Sequence, residues 1–220
     1  MKKKVVFFDV DDTLIDHTGA SHKSLLATHN LLLPNAPQRE FEIVWKEQTN
    51  KFWKLFTDKK LTFEQQRIKR MQAIWEHFGK KINKEEADKV FSTYLNFYES
   101  NWRLFPGLKK SLQTLKANGV RLGIISNGNR TQQDKKLEKT GVHKLFESEL
   151  IIVSEEVGHS KPNPKIFKHA QKKSGVKIEE LIFFGNDILQ DIEPSKKIGW
   201  ENVLVDSPKK ITGWVLNNFH

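Results

Sequence analysis

The sequence predicts an α/β protein: a parallel sheet layered between helices, with an all-helical lobe inserted after the first strand. Three observations carry that reading. Short, continuous apolar runs of the kind buried on both faces of a parallel sheet recur as VVFF from Val5, LGII from Leu122 and LIFF from Leu181. Helical patterns of about 10 to 13 residues alternate with the later runs. Residues 18–100, in contrast, read as helical almost throughout.

The first strand, from Val5, stops at Asp9, and Asp11 and Asp12 follow at once. The lobe then offers four helical stretches: ASHKSLLATHNLLL, REFEIVWKEQTNKFWKLFTDKK, TFEQQRIKRMQAIWEHFGK and KEEADKVFSTYLNFYESNW. Trp45, Trp53, Trp75 and Trp102 fall in it or at its exit. At helical spacing they read as the lobe's own core, with one of them a candidate to face a substrate. Pro106-Gly107 marks the return to alternating strands and helices. Leu108, Leu112 and Leu115 then share one helix face that stops at Gly119. NRTQQDKKLEKTG follows the second strand, NPKIFKHAQKKSG precedes the third, and ELIIVSEE and ENVLVDS are weaker strands. The expected division is a Rossmann-like three-layer core of residues 1–17 and 101–220 with a lobe of residues 18–100.

Composition narrows the function. A chain of 220 residues can hold one well-cored domain carrying an inserted lobe. No stretch approaches the roughly 20 apolar residues of a membrane span, and the four apolar residues behind Lys2-Lys3-Lys4 are too few for a signal peptide. With no cysteine there is no disulfide or thiolate chemistry, and a cytoplasmic location is expected. The net charge of +10 comes from lysines scattered along the chain, which suits a solvated surface and an anionic small substrate. Without a longer basic run, a zinc pattern or an aromatic RNA-binding signature, a nucleic-acid partner is not expected. Nothing demands more than a monomer or weak dimer.

Ligands of an open parallel sheet bind at the carboxyl ends of its strands. Asp9, Asp11 and Asp12, then Ser126 and Asn127, then Asn186, Asp187 and Asp191 all follow strand candidates, and Lys161 lies in a loop with Pro162 and Pro164. Carboxylates crowded at a buried edge repel one another, so a cation belongs among them, and oxygen donors from separate strands suit Mg²⁺. The set fits phosphoryl chemistry. One carboxylate can attack phosphorus, a second two residues on can protonate the leaving oxygen, and a serine hydroxyl and a lysine can hold phosphate oxygens.

DVDDT, SNG, SKPNP and GNDILQD, in this order, resemble the motifs of the haloacid dehalogenase-like (HAD) hydrolase superfamily. The lobe between the first two resembles the helical C1 cap of its subfamily I, in the phosphatase branch. The resemblance implies that Asp9 is the nucleophile and a metal ligand. Asp11 would be general acid and then base, with its main-chain carbonyl on Mg²⁺. Ser126 would bind phosphate with Asn127 close behind, and Lys161 would stabilise the nucleophile and the transferring group. Many relatives carry aspartate directly after the glycine of the last motif, where this chain has Gly185-Asn186-Asp187. By register Asn186 takes the metal-ligand place, Asp187 is the alternative, and Asp191 lies behind them.

The presence of Asp11 favours phosphate esters over haloacids and phosphonates. The implied protein is a Mg²⁺-dependent phosphatase of a small phosphomonoester, acting through an aspartyl-phosphate, with a cap that excludes water and selects the substrate. A nucleoside monophosphate is the first candidate and a sugar phosphate the next. The rival is a non-catalytic relative that binds RNA or a protein through its basic surface, which the retention of Asp9, Asp11 and Lys161 disfavours. Asp12 and Thr13 read as turn and cap residues. Asp16 and His17 read as hinge or surface, Asp206-Ser207 as a turn, and base rates favour a trans Lys161-Pro162 peptide.

Overall fold

The computed structural model describes residues 3–219, so Lys2 of the basic start lies outside the described residues. The chain divides into two compact units, Met1–Thr18 with Trp102–His220, and Gly19–Asn101.

The first unit is built on a five-stranded parallel sheet in the order β3-β2-β1-β4-β5. The strands are β1 (Val5–Phe8), β2 (Arg121–Ser126), β3 (Ile151–Val153), β4 (Leu181–Gly185) and β5 (Glu201–Leu204). The expected α/β core is therefore present, with the first strand at its centre. β1 and β4 are buried throughout, as continuous apolar runs require, whereas the edge strand β5 is largely half-buried. Phe8 pairs in register with Ile124 and with Phe184. Asp9, one position beyond Phe8, and Ser126 and Asn186, two positions beyond Ile124 and Phe184, therefore come out at one edge of the sheet.

Alternating side chains define two faces. Val5, Phe7, Ile125, Ile152, Leu181 and Phe183 form one core with Trp200 and with Ile166, Phe167 and Ala170 of α8 (Pro164–Ser174). On the other face Phe8 stacks on Phe184, with ring centroids 5.2 Å apart, and Trp214 of α10 (Lys209–Asn218) meets Phe184 edge-on. β2 can pass beside Phe7 only as glycine at position 123, because a Cβ there would stand 2.4 Å from the Phe7 ring. α5 (Leu108–Ala117) buries the predicted Leu108, Leu112 and Leu115 stripe.

The second unit is helical. It holds α1 (His17–Leu32) from Gly19 onward, α2 (Gln38–Thr57), α3 (Phe63–His77) and α4 (Lys84–Asn101). α3 begins at a capping box in which the Thr62 hydroxyl accepts from Gln65 N–H and the Gln65 side chain accepts from Thr62 N–H. Phe41, Val44, Trp45, Met71, Ile74, Trp75, Ala87 and Phe91 make its core. Trp45 and Trp75 belong there, but two tryptophans correct the sequence reading. Trp53 is 44% exposed, and Trp102 lies buried in the first unit, under the Lys136 ammonium at 5.8 Å. No helix among the described residues is long and apolar enough to cross a membrane.

Candidate active site

The central strand β1 delivers Asp9 into the interior, where it is 6% exposed, with its N–H held by Phe184 O at 2.8 Å. One of its carboxylate oxygens, Oδ1, accepts from Lys161 Nζ at 2.6 Å. The same ammonium donates to Asp191 Oδ1 at 2.6 Å, and both residues are buried. Burial alone would lower the lysine's pKa, but the two carboxylates hold it above the ordinary value. Asp9 is perturbed the other way. Burial pushes its carboxyl up from 3.8 to about 7, against the pull of Lys161 and with the help of Asp191 and Asp11.

Lys161 is placed by a brace. Asn127, just after β2, accepts from Lys161 N–H at 2.7 Å and donates its amide to Lys161 O and to Gln190 Oε1. The side chain of Asn127 is thus engaged in fixing the loop. The Lys161–Pro162 peptide is cis, contrary to the base-rate expectation. Ser126, at the end of β2, is buried.

After β4 the chain turns through a π-helical turn at Ile188–Ile192. Asp187 caps it, accepting from the N–H groups of Leu189 and Gln190 through Oδ1 and from the Gln190 amide through Oδ2. Asp191 folds back beneath β4, and a Cβ on Gly185 would stand 2.4 Å from its Oδ2, so that approach needs glycine. Asn186 instead lies beside Asp9. The buried Thr13 hydroxyl is 3.3 Å from Asp9 Oδ2 and 3.2 Å from Asn186 Oδ1, so both oxygens meet that hydroxyl.

Asp11 is half-buried and accepts from Lys136 Nζ at 2.5 Å, with His17 Nδ1 at 3.9 Å. Burial raises its pKa, but the Lys136 ammonium, with His17 behind it, outweighs burial and holds the carboxyl below its usual range. Lys136 comes from α6 (Arg130–Lys139), whose buried residues are Gln133, Lys136 and Leu137. Asp12 sits in the left-handed region (φ 58°), and its carboxylate accepts from the N–H and hydroxyl of Thr18 at the start of α1.

The structure therefore sets Lys161, shared with Asp191, against one oxygen of Asp9 and Thr13, shared with Asn186, against the other, puts Asp11 on a separate lysine, and turns Asp187 onto its own turn. Two residues escaped the sequence reading. Thr13, read as a turn residue, lies between Asp9 and Asn186. Lys136 had a faint signal, since it adjoins Leu137, the lone strongly apolar residue of its helix, and so shares the inward side.

Divalent-cation binding fits these groups. Among the described residues no three His, Cys, Asp or Glu side chains assemble as a metal cage. Mg²⁺, however, is commonly held by one or two carboxylates, completed by waters and substrate phosphate. Asp9 Oδ2 and Asn186 Oδ1 are hard oxygen donors, each within 3.3 Å of the Thr13 hydroxyl, and a buried carboxyl this reluctant to ionise is one that a cation would help to charge.

A sequence profile described as haloacid dehalogenase-like hydrolase matches residues 3–199. The chain is 30% identical over 211 residues to a glyceraldehyde 3-phosphate phosphatase of Methanothermobacter thermautotrophicus, a match covering 93% of this chain and 86% of that one. It is 27% identical to the human N-acylneuraminate-9-phosphatase, with 98% of this chain and 83% of that one covered. Among solved structures, the HAD-hydrolase YfnB from Bacillus subtilis, bound to magnesium, superposes with a TM-score of 0.73. That match is 23% identical and covers 93% of this chain and 87% of that one, a likeness of fold.

Proposed function

Because the chain belongs to the haloacid dehalogenase-like hydrolase family, we propose that it is a Mg²⁺-dependent phosphatase that cleaves a small phosphomonoester through a phosphorylated Asp9. The observation that carries this reading is the buried Lys161 ammonium, which contacts Asp9 and Asp191 at 2.6 Å each and leaves Asp9 Oδ2 beside the Thr13 hydroxyl, which also meets Asn186 Oδ1. An oxygen of Asp9 attacks phosphorus, the Asp9–phosphorus bond forms, and the bond to the leaving alkoxide breaks as Asp11 gives that oxygen a proton. Asp11 then takes a proton from water as the water oxygen attacks phosphorus, which frees Asp9 and releases inorganic phosphate. The ion pair with Lys136 suits Asp11 to this second step, and the first step requires that contact to loosen.

Lys161 favours the ionised form of Asp9 without outweighing its burial and offsets charge on the transferring group, and Ser126 is assigned to the phosphate oxygens. Asp9, the Asp11 main-chain carbonyl and Asn186 would hold the cation, which supplies charge neutralisation of the phosphate. Asp187 is left out of that set, because its carboxylate is committed to its own turn. The named relatives act on phosphates of a triose and of a sugar acid, which favours a small polyhydroxylated phosphomonoester over a nucleotide. Phosphate release from p-nitrophenyl phosphate should require Mg²⁺, stop with EDTA and vanish in Asp9→Asn. Equal turnover in that variant would remove Asp9 as the nucleophile.

A further inference from the structure

The helical unit buries a positive charge without a negative partner. Arg70 of α3 is 8% exposed, yet its Nε has no hydrogen-bond partner, and no carboxylate among the described residues lies within ion-pair distance. What surrounds its guanidinium is aromatic, with Phe91 at 5.5 Å and Trp45 at 6.0 Å. One helical turn earlier on the same face, Gln66 is 2% exposed and its Oε1 is also without a partner. On α2, Gln48 Oε1 and Thr49 Oγ1, one turn beyond Trp45, are buried and unpartnered as well. α2 and α3 pack against one another, and Tyr94 of α4 packs on Trp45 at 4.9 Å while its hydroxyl engages Ser21.

Such a cluster works against folding. A buried cation without a counter-charge and buried polar atoms without partners each cost stability, and two cation–π contacts return only part of it. Polar groups that burden a fold in this way are accounted for if they serve a ligand. The guanidinium fork matches a carboxylate with two parallel hydrogen bonds. The Gln66 amide one turn away on the same face can pair with a hydroxyl group.

We infer that the helical unit carries an oxyanion site of its own, centred on Arg70 and Gln66, for a small hydroxylated carboxylate. This site stands apart from the catalytic reading, and neither residue takes part in the chemistry assigned above.

The full chain supplies the test. Malate should raise its melting temperature in a saturable way, and the uncharged malamide should not. Arg70→Met replaces the guanidinium by an apolar side chain. It should melt at or above the temperature of the wild type without ligand while losing at least tenfold in malate affinity by calorimetry. Gln66→Leu should likewise fold at least as well and bind malate more weakly. An arginine that only packs the core predicts the reverse, with no response of the wild type to malate at 10 mM and a lower melting point for Arg70→Met. If Arg70→Met does not fold, the wild-type titration and Gln66→Leu decide. A wild type indifferent to malate overturns the inference, and so does equal stabilisation by malate and malamide.

Discussion

Freed of metal, this protein should lose stability as the pH rises, and Asp9→Asn should remove most of that loss. Asp9 is 6% exposed, and its carboxyl is pushed from 3.8 to about 7, chiefly by burial. A carboxyl whose pKa rises on folding holds its proton more tightly in the folded chain than in the unfolded one. Its effect on stability is therefore negligible below about pH 4, grows more unfavourable as the pH rises and levels off above about pH 7. Each tenfold in that interval is worth about 1.4 kcal/mol. The ionised side chain thus costs the fold on the order of 4 kcal/mol above pH 7, of which about 3 kcal/mol accrues between pH 5 and 8. Asparagine has the same shape and does not titrate, and Lys161 keeps Asp191 as its partner in the variant. Urea unfolding in EDTA at pH 5 and pH 8 reads the difference in stability between Asp9→Asn and the wild type. Most other titrating groups subtract out of that difference, which should grow in favour of the variant by about 3 kcal/mol. Saturating Mg²⁺ should shrink it. A difference that is flat or falls with pH would refute the reasoning, since Lys161 would then already hold Asp9 ionised in the empty site.

Lys136→Met removes the ammonium that holds the Asp11 carboxyl low. Its turnover of p-nitrophenyl phosphate should fall at least about tenfold, within the range that acid–base catalysis contributes, and the acid limb of its pH profile should move upward. An unmoved limb would mean that Lys136 does not govern Asp11. The two stability effects also run in opposite directions: the Asp11 pair contributes above the ordinary carboxylate range and is lost as the pH falls through the depressed pKa. Asn186→Ala should raise the Mg²⁺ concentration for half-maximal activity about tenfold or more. Asp187→Asn, whose amide oxygen can still cap the turn, should leave it little changed. The opposite ranking would transfer the ligand role to Asp187.

The sheet was legible because its strands are uninterrupted apolar runs, and the lobe because its apolar residues keep helical spacing. The edge strands β3 and β5 were fainter for a physical reason. Three residues of β3 carry little periodicity, and β5 buries little of itself. Asp9, Ser126 and Asn186 could be found because a parallel sheet sends whatever follows its strands to one edge. Three features resisted that logic. Lys136 reaches Asp11 across 125 positions, through a helix whose rotation is set by Leu137. Asn127 and Asp187 have the residue types of ligands but spend their side chains on the backbone around them. The sequence reading also assigned the compensating charge at the strand end to a metal alone, and here the structure alters the argument. Of the three carboxylates that face the site, Asp9 and Asp191 share Lys161, and Asp11 has Lys136. Two ammonium groups against three carboxylates leave about one negative charge, which the protonation of Asp9 near neutral pH can absorb. The site without ligand therefore tolerates its carboxylates. The demand for a cation arises when a phosphate brings further negative charge to the same edge while Asp9 must stay ionised to attack it, so metal and substrate should bind with positive coupling.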